Sequence, residues 1–508
     1  MRYDYIVEYL CSTAGMSFDG FGSSDERVNK RTEAGIAESF RRYVCGMDGD
    51  TGNDFFRVDD MGMLHVFNGK FFEMMNDVVF TGIIREVMRR MNVGLVYLMD
   101  AAERIAKHCI ASLVEDGKHK FNPDRSYVCF RNGVLDMKTL KLMPHDFKYC
   151  TDVIFSFSYD PECRSALWDG VVIATVPDRG MRRAYQQFCG AFLIDRQEHK
   201  FEYICFLVGE GQNGKSIVAK AVVNVFKNED EDGRQLTKCV TTFTPEQLFR
   251  SNQMDYHMAE VNGKIVNYCD DVSDKDFSGG DFKAFVSGGE FTGRSPYSKE
   301  MTYVTKVPLM LCCANKIPPT TDDSDGYFRR FLIISCPNKV SEKDKDIQLE
   351  SKLREDKVRS AIFNWMLDGY KALLENGCKI DMSDEVKRLK EDMKADSNSG
   401  RRWIREKNLV AVTPVSRRDP RWKSLKEWMR LYQEYCKDYG EAPKTAKSMG
   451  KIFDELEFVK ERRGDGTWYC IGQVLIEEPK DDKYAEAVKK TEDTGAYGMA
   501  SGDGDYPF

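Results

Sequence analysis

Four largely apolar runs recur between positions 185 and 375: Tyr203–Val208, Lys264–Cys269, Val307–Cys313 and Phe331–Cys336. None alternates strictly, the pattern of strands covered on both faces of a mostly parallel sheet. Helical segments fall between them at Ser216–Phe226 and Asp281–Val286. Strands interleaved with helices predict an α/β core. Upstream, Phe55–Val58 and Met63–Phe67 read as short strands. Asp59, Asp60 and Gly62 supply the turn between them, and Asn68–Gly69 the next. Residues 82–115 read mainly as helix, with Ile84, Val87, Met88 and Met91 on one face. Tyr127–Phe157 holds strand pieces around an Asn132–Gly133 turn, Thr139–Leu142 among them. Downstream, 381–400 is charged, ends in KADSNSG, and reads as an exposed helix followed by a hinge. Leu425, Trp428, Met429 and Tyr432 repeat at helical spacing, and Ala446–Leu456 reads as a second helix with Lys444, Lys447 and Lys451 near or on one side. Phe458–Ile471 reads as a β-hairpin with a basic tip.

These shifts divide the chain into an α+β accessory domain (1–160), an α/β domain (161–380), a linker (381–400), a winged-helix-like domain (401–476) and a tail (477–508). Three domains are also what 508 residues suggest at ~150 each. Hydrophobic residues are 42 % and charged residues 31 %, which supports packed cores and excludes collagen-like, fully disordered and disulfide-stapled classes. The net charge of −7 excludes a simple basic nucleic-acid coat, but it is uneven. Residues 401–476 carry net +6 and 477–508 net −5, so a basic module sits between an acidic core and an acidic tail expected to be disordered. Sixteen scattered cysteines without a CxxC pair read as free thiols of a reducing compartment. No signal peptide or 18-residue apolar stretch is present, so the expectation is a soluble cytoplasmic protein with no membrane partner.

The candidate chemistry starts at Gly209, Glu210, Gly211, Gln212, Asn213, Gly214, Lys215 and Ser216, which fit G-x-x-x-x-G-K-[ST] between a strand and a helix. The glycines let backbone amides wrap a phosphate at a helix N-terminus. Lys215 would reach the β and γ phosphates of ATP, and Ser216 would offer its hydroxyl to Mg²⁺. Asp270 and Asp271 close the strand that starts at Lys264. One carboxylate would hold the metal and the other would polarise the attacking water; Asp270 is assigned to the metal and Asp271 to the base, though the two could be swapped. Asn315 ends the next apolar strand and would orient the water or touch the γ phosphate. Arg329 and Arg330 enter the last strand, and one of them would reach a neighbouring subunit's ATP; adjacency leaves the choice open.

The order of these elements resembles the superfamily 3 helicases, most closely the D5-like ATPases found beside primases in phages, plasmids and large DNA viruses. Phe282–Arg294 looks like that family's Lys, G-G-D, Arg stretch, with Glu290 in place of Asp. Lys306–Pro318 looks like its asparagine motif, Gly326–Phe331 like its arginine-finger motif, and Arg131–Asp136 like the N-G-V-L-D signature of its accessory domain. The resemblance implies an AAA+-like P-loop NTPase forming a hexameric homo-oligomer that hydrolyses ATP between subunits and moves 3′ to 5′ on single-stranded DNA. It also implies a channel hairpin near Thr292–Thr305, where Arg294, Lys299 and Lys306 would bind DNA phosphates, Lys299 at the tip. Arg462 and Arg463 are the expected wing contacts to forked DNA.

The first 160 residues hold no run of paired acids plus His, so a helicase without primer synthesis is expected. Ser501–Phe508 resembles the acidic tip of bacterial single-stranded-DNA-binding proteins, which makes a primase, a polymerase or such a binding protein a candidate partner. Alternative readings are a P-loop motor acting on RNA or in DNA packaging or partition, and a non-enzymatic ATP-binding origin or scaffold protein.

Overall fold

The computed structural model describes residues 4–12, 55–59, 62–90, 100–116, 121, 125–229, 235–273, 277–294, 301–317, 320, 322, 324–341, 345–396, 398–438 and 443–474. They fall into two compact units, 1–397 and 398–508.

The first unit opens with α1 (Asp4–Ser12) and a three-stranded antiparallel sheet, β1 (Phe56–Val58), β2 (Leu64–Phe67) and β3 (Phe72–Met74). Gly62 and Gly69 turn its corners at φ +80° and +91°. Two helices follow, α2 (Asp77–Arg90) and α3 (Asp100–Asp116), where the periodicity suggested one. Ile84, Val87 and Met88 are buried on the predicted face, while Met91 lies outside the described residues. A second small sheet holds β4 (Tyr127–Phe130), β5 (Gly133–Asp136), β6 (Lys141–Met143) and β7 (Ile154–Phe155). The strand expected at Thr139–Leu142 starts later than its composition suggests. Asp136 Oδ1 accepts from the Lys138 and Thr139 amides at 2.8 and 3.2 Å, and Leu140 turns the chain at φ +55°.

The α/β core then runs α4 (Ala166–Thr175), α5 (Arg179–Gly190), β8 (Ile204–Val208) and α6 (Lys215–Phe226). A side hairpin of β9 (Lys227–Glu229) and β10 (Gln235–Lys238) leads to β11 (Val240–Thr241), α7 (Pro245–Phe249), α8 (Met254–Val261) and β12 (Val266–Cys269). Next come α9 (Gly280–Val286), the hairpin β13 (Phe291–Arg294) and β14 (Met301–Val304), β15 (Leu309–Ala314), α10 (Asp325–Phe328) and β16 (Phe331–Ser335). The helices α11 (Leu349–Leu353), α12 (Asp356–Glu375) and α13 (Asp384–Asp396) complete the unit.

Strands β8, β11, β12, β15 and β16 form one sheet in the order β11-β12-β15-β8-β16, every pairing parallel. Alternate residues feed two cores. Cys205, Leu207, Leu311, Leu332 and Ile334 pack with α5, α6 and α12 on one face. Ile204, Phe206, Met310, Phe331 and Ile333 pack with α8, α9 and α10 on the other. Both faces are dry, which explains the unbroken apolar runs. Each fully buried Leu, Ile or Phe contributes about 1.5–3 kcal/mol. The crossover after β8 leaves to one side and the last strand returns on the other, so the strand order switches at the C-terminal end of β8, where α/β sheets bind ligands. Helix α13 corrects the expectation of a free-standing charged helix: Val386 and Met393 are buried in these cores.

The second unit holds α14 (Ser399–Glu406), β17 (Leu409–Ala411), β18 (Trp422–Ser424), α15 (Leu425–Asp438), α16 (Ala446–Glu455), β19 (Val459–Arg463) and β20 (Gly466–Gln473). Trp403, Trp428, Tyr432, Phe453 and Tyr469 form its core. Helix, helix and antiparallel hairpin follow in the predicted order. Among the described residues, no helix is long and apolar enough to cross a membrane.

Candidate functional site

Residues 209–214 link the end of β8 to the start of α6. A Cβ on Gly209 would lie 2.3 Å from the Cys336 carbonyl oxygen, and Gly214 sits at φ +75° with Thr175 Oγ1 2.8 Å from where its Cβ would be. Both positions therefore demand glycine. Gln212 adopts φ +67°, and its carbonyl accepts from the Val340 amide at 2.8 Å. Asn213 Nδ2 donates to Cys336 O at 2.8 Å. The loop is thus pinned to the chain leaving β16. Exposed Glu210 pairs with Lys339 at 2.7 Å, a surface bridge of little energetic weight.

Lys215 is only 8 % exposed. Its Nζ donates to Asn213 Oδ1 at 3.0 Å, Glu210 O at 3.3 Å, Asn315 Oδ1 at 3.4 Å and the Gly209 carbonyl. A buried ammonium requires such partners. Asn315 is delivered by β15, which lies beside β8 in the sheet.

Asp270 follows β12. Its Oδ1 accepts from Tyr268 Oη at 2.5 Å and its Oδ2 pairs with Lys220 Nζ at 2.9 Å. Partial burial raises the pKa of this carboxyl, but the Ser216 hydroxyl, Tyr268 and Lys220 together hold it below the usual carboxylate value. The Tyr268 phenol, buried and beside that anion, is pushed far up. Asp271 is exposed, and its backbone carbonyl accepts from Cys269 Sγ at 3.1 Å. Lys215, Ser216, Asp270 and Asn315 are therefore brought to one end of the sheet. Ser216 and Asp270 offer hard oxygen donors of the kind Mg²⁺ takes.

The two arginines are not equivalent. Arg330 is 8 % exposed; its Nη2 donates to Ser287 Oγ at 2.7 Å and its Nη1 to the Gly326 carbonyl. The Arg329 side chain is 54 % exposed, with Nη1 on Glu202 Oε2 at 2.7 Å. Burial raises the Glu202 carboxyl, but Ser287 and Arg329 outweigh it and lower the pKa. Lys283 pairs with Asp322 at 2.5 Å and Ser324 Oγ at 3.1 Å, tying α9 to the turn before α10.

The hairpin expected near Thr292–Thr305 is present as the antiparallel pair β13 and β14. Gly293 approaches α8 so closely that a Cβ there would lie 2.4 Å from the Ala259 amide nitrogen. Arg294 is exposed on β13. The Lys306 amide donates to Asn262 Oδ1 at 3.4 Å and its carbonyl accepts from Gly263 N at 2.8 Å. Lys299 lies outside the described residues, as does the tail with its expected partner contacts.

In the second unit Arg462 is exposed. Arg463 instead lies 4.4 Å over Trp468 and 5.0 Å over Trp422, with bonds to Glu461 at 3.1 Å and the Arg417 carbonyl at 3.0 Å. It braces the turn end of the hairpin.

Sequence reasoning missed Lys220, Tyr268 and Glu202. Lys220 stands one helical turn after Ser216, and Tyr268 two strand positions before Asp270, so periodicity held a signal for both. Glu202 carried none.

The fold and site define a mixed α/β domain with a parallel sheet and a glycine loop at its switch point. Residues 37–177 match the family described as D5 N terminal like, and residues 207–330 match a family of unknown function, DUF5906. Over residues 37–177 the chain is thus similar to the D5 N terminal like family. The second match runs from β8 to Arg330 and so contains the loop, the acidic turn, Asn315 and both arginines. Similar solved structures include an apo form of the NrS-1 C-terminal region, 12 % identical, with 82 % of this chain and 96 % of that one covered at TM-score 0.45. An A form of the same region is 11 % identical with the same coverage, at TM-score 0.46.

Proposed function

We propose that the chain is an ATP-driven replicative DNA helicase with an AAA+-like P-loop core. It works as a homo-oligomeric ring, a hexamer, that moves 3′ to 5′ on single-stranded DNA. One observation carries this reading: the Lys215 ammonium stands within 3.4 Å of Asn315 Oδ1, next to the Ser216–Asp270 pair.

The loop amides and the N-terminus of α6 bind the triphosphate. Lys215 exchanges its loop carbonyls for the β and γ oxygens. Ser216 and Asp270 would hold Mg²⁺, which would supply charge neutralisation at the phosphates. Asn315 orients the attacking water, and an Asp271 carboxylate oxygen accepts its proton. Arg329 is the finger: it is exposed and free to trade Glu202 for the γ phosphate of an adjacent subunit, whereas Arg330 is committed to Ser287 and Gly326. Arg294 and Lys306 line the DNA channel, and Arg462 meets the fork through phosphates. The acidic tail docks on a replication partner in the host cytoplasm.

The test is strand displacement on forked DNA bearing a 3′ or a 5′ single-stranded tail, with wild type and Lys215→Ala. Unwinding should require the 3′ tail and ATP and vanish in the variant. Equal displacement by both proteins would exclude the reading.

A further inference from the structure

Both oxygens of the Asp270 carboxylate are engaged within the chain, but by very different partners. Oδ1 accepts from the Tyr268 phenol at 2.5 Å, and Tyr268 is buried. Oδ2 meets the Lys220 ammonium at 2.9 Å, where the two side chains are 36 % and 45 % exposed. The arrangement follows from element geometry. Ser216 and Lys220 lie four residues apart on one face of α6, and Tyr268 and Asp270 lie two apart on one face of the β12 strand path. Residue types with hard oxygens and a lysine thus converge on a single carboxylate.

We propose that Lys220 is a resident counter-cation that Mg²⁺ must displace from Asp270, so that Lys220 sets the magnesium concentration at which nucleotide binds tightly. This inference rests on the ATP-binding reading above. A divalent ion and an ammonium cannot both sit against Oδ2 without strong like-charge repulsion. Lys220 is the partner able to leave, because its head group is at the surface and its stem is flexible. Tyr268 is the partner that stays, since its ring is packed in the core. It keeps the carboxylate from rotating as the cations exchange, which makes it a positioning residue.

The test is equilibrium binding of a fluorescent, non-hydrolysable ATP analogue to the 508-residue chain across a magnesium titration, with Mn²⁺ binding to the nucleotide complex followed by electron paramagnetic resonance as a second readout. Lys220→Met keeps the aliphatic stem and removes the charge. It should lower the half-saturating Mg²⁺ by about two- to fivefold, the size expected for deleting one partly exposed ion pair. Lys220→Arg should retain the wild-type threshold. Tyr268→Phe should raise the threshold and weaken Mn²⁺ binding. An unchanged or raised threshold in Lys220→Met, with normal nucleotide binding by wild type, would overturn the inference alone. A folded wild-type protein that binds no nucleotide at any Mg²⁺ concentration would overturn the ATP reading and this one with it.

Discussion

Lys215 and Asn315 are one hundred positions apart in the chain, yet the ammonium of one lies 3.4 Å from the side-chain oxygen of the other. Parallel pairing of β8 with β15 brings them together, through the Ala314–Val208 register at the strand ends. A lysine held this way is positioned to face an anion. Its present partners are loop carbonyls and amide oxygens that a phosphate can replace.

Asn315→Ala should therefore lower kcat for ATP hydrolysis by about 10²–10³-fold while changing KM little, the range for losing one fixed polar group at a reacting centre. Lys215 keeps its loop acceptors, so the melting temperature should stay near that of wild type. Steady-state ATPase kinetics with parallel thermal melts check both halves.

The arginine pair should separate cleanly. Arg330→Ala removes the donors to the Ser287 hydroxyl and the Gly326 carbonyl, of which Ser287 keeps Glu202, and should cost about 1–3 kcal/mol. That is a drop of roughly 2–4 °C per kcal/mol for a unit of this size. Arg329→Ala removes an exposed guanidinium and should leave melting within about 2 °C while abolishing hydrolysis. Mixing Arg329→Ala with Lys215→Ala should restore part of the ATPase rate, because mixed rings contain interfaces with both groups intact. Calorimetry and a mixing assay read these outcomes.

Lys390 gives the chain a pH signature. Its Nζ donates to the Arg329 carbonyl at 3.0 Å. Burial pushes its pKa from 10.5 down to about 8, with Glu391 opposing and Arg329 adding to the shift. The folded state thus disfavours the charged form. The penalty is full below about pH 8 and fades as pH rises towards 10.5, so this group makes stability rise with pH across that window. Lys390→Met should be most stabilising relative to wild type below pH 8, with the difference shrinking towards pH 10.5. Chemical denaturation of both proteins at pH 7 to 10.5 measures it.

The hairpin of the second unit should show a division of labour. Arg463→Ala loses two ring contacts and should destabilise that unit by about 1–2 kcal/mol. Arg462→Ala should leave the fold intact and reduce the salt dependence of forked-DNA binding by about one unit of log–log slope. Binding isotherms between 50 and 200 mM salt, with thermal melts, distinguish the two.

The parallel core was legible because burial on both faces leaves an unbroken apolar run, as in Ile204–Val208 and Leu309–Ala314. The glycine loop was legible because Gly209 and Gly214 occupy places where a Cβ has no room. Elements decided by a single local bond were not. Asp136 capping the Lys138 and Thr139 amides delays β6, and no propensity reports that. Val386 and Met393 are too few to mark α13 as docked. Arg329 and Arg330 carry the same chemistry, and only the placement of Ser287 and Glu202, from distant elements, tells them apart.

The most direct measurement is ATP hydrolysis by the purified 508-residue chain, with and without single-stranded DNA, for wild type and Lys215→Ala. The account predicts magnesium-dependent hydrolysis that DNA accelerates in wild type, and a loss of at least about 100-fold in the variant. Hydrolysis that survives in Lys215→Ala, or its absence from a folded wild-type chain, would contradict the claim that the glycine loop, Asp270 and Asn315 serve one nucleotide.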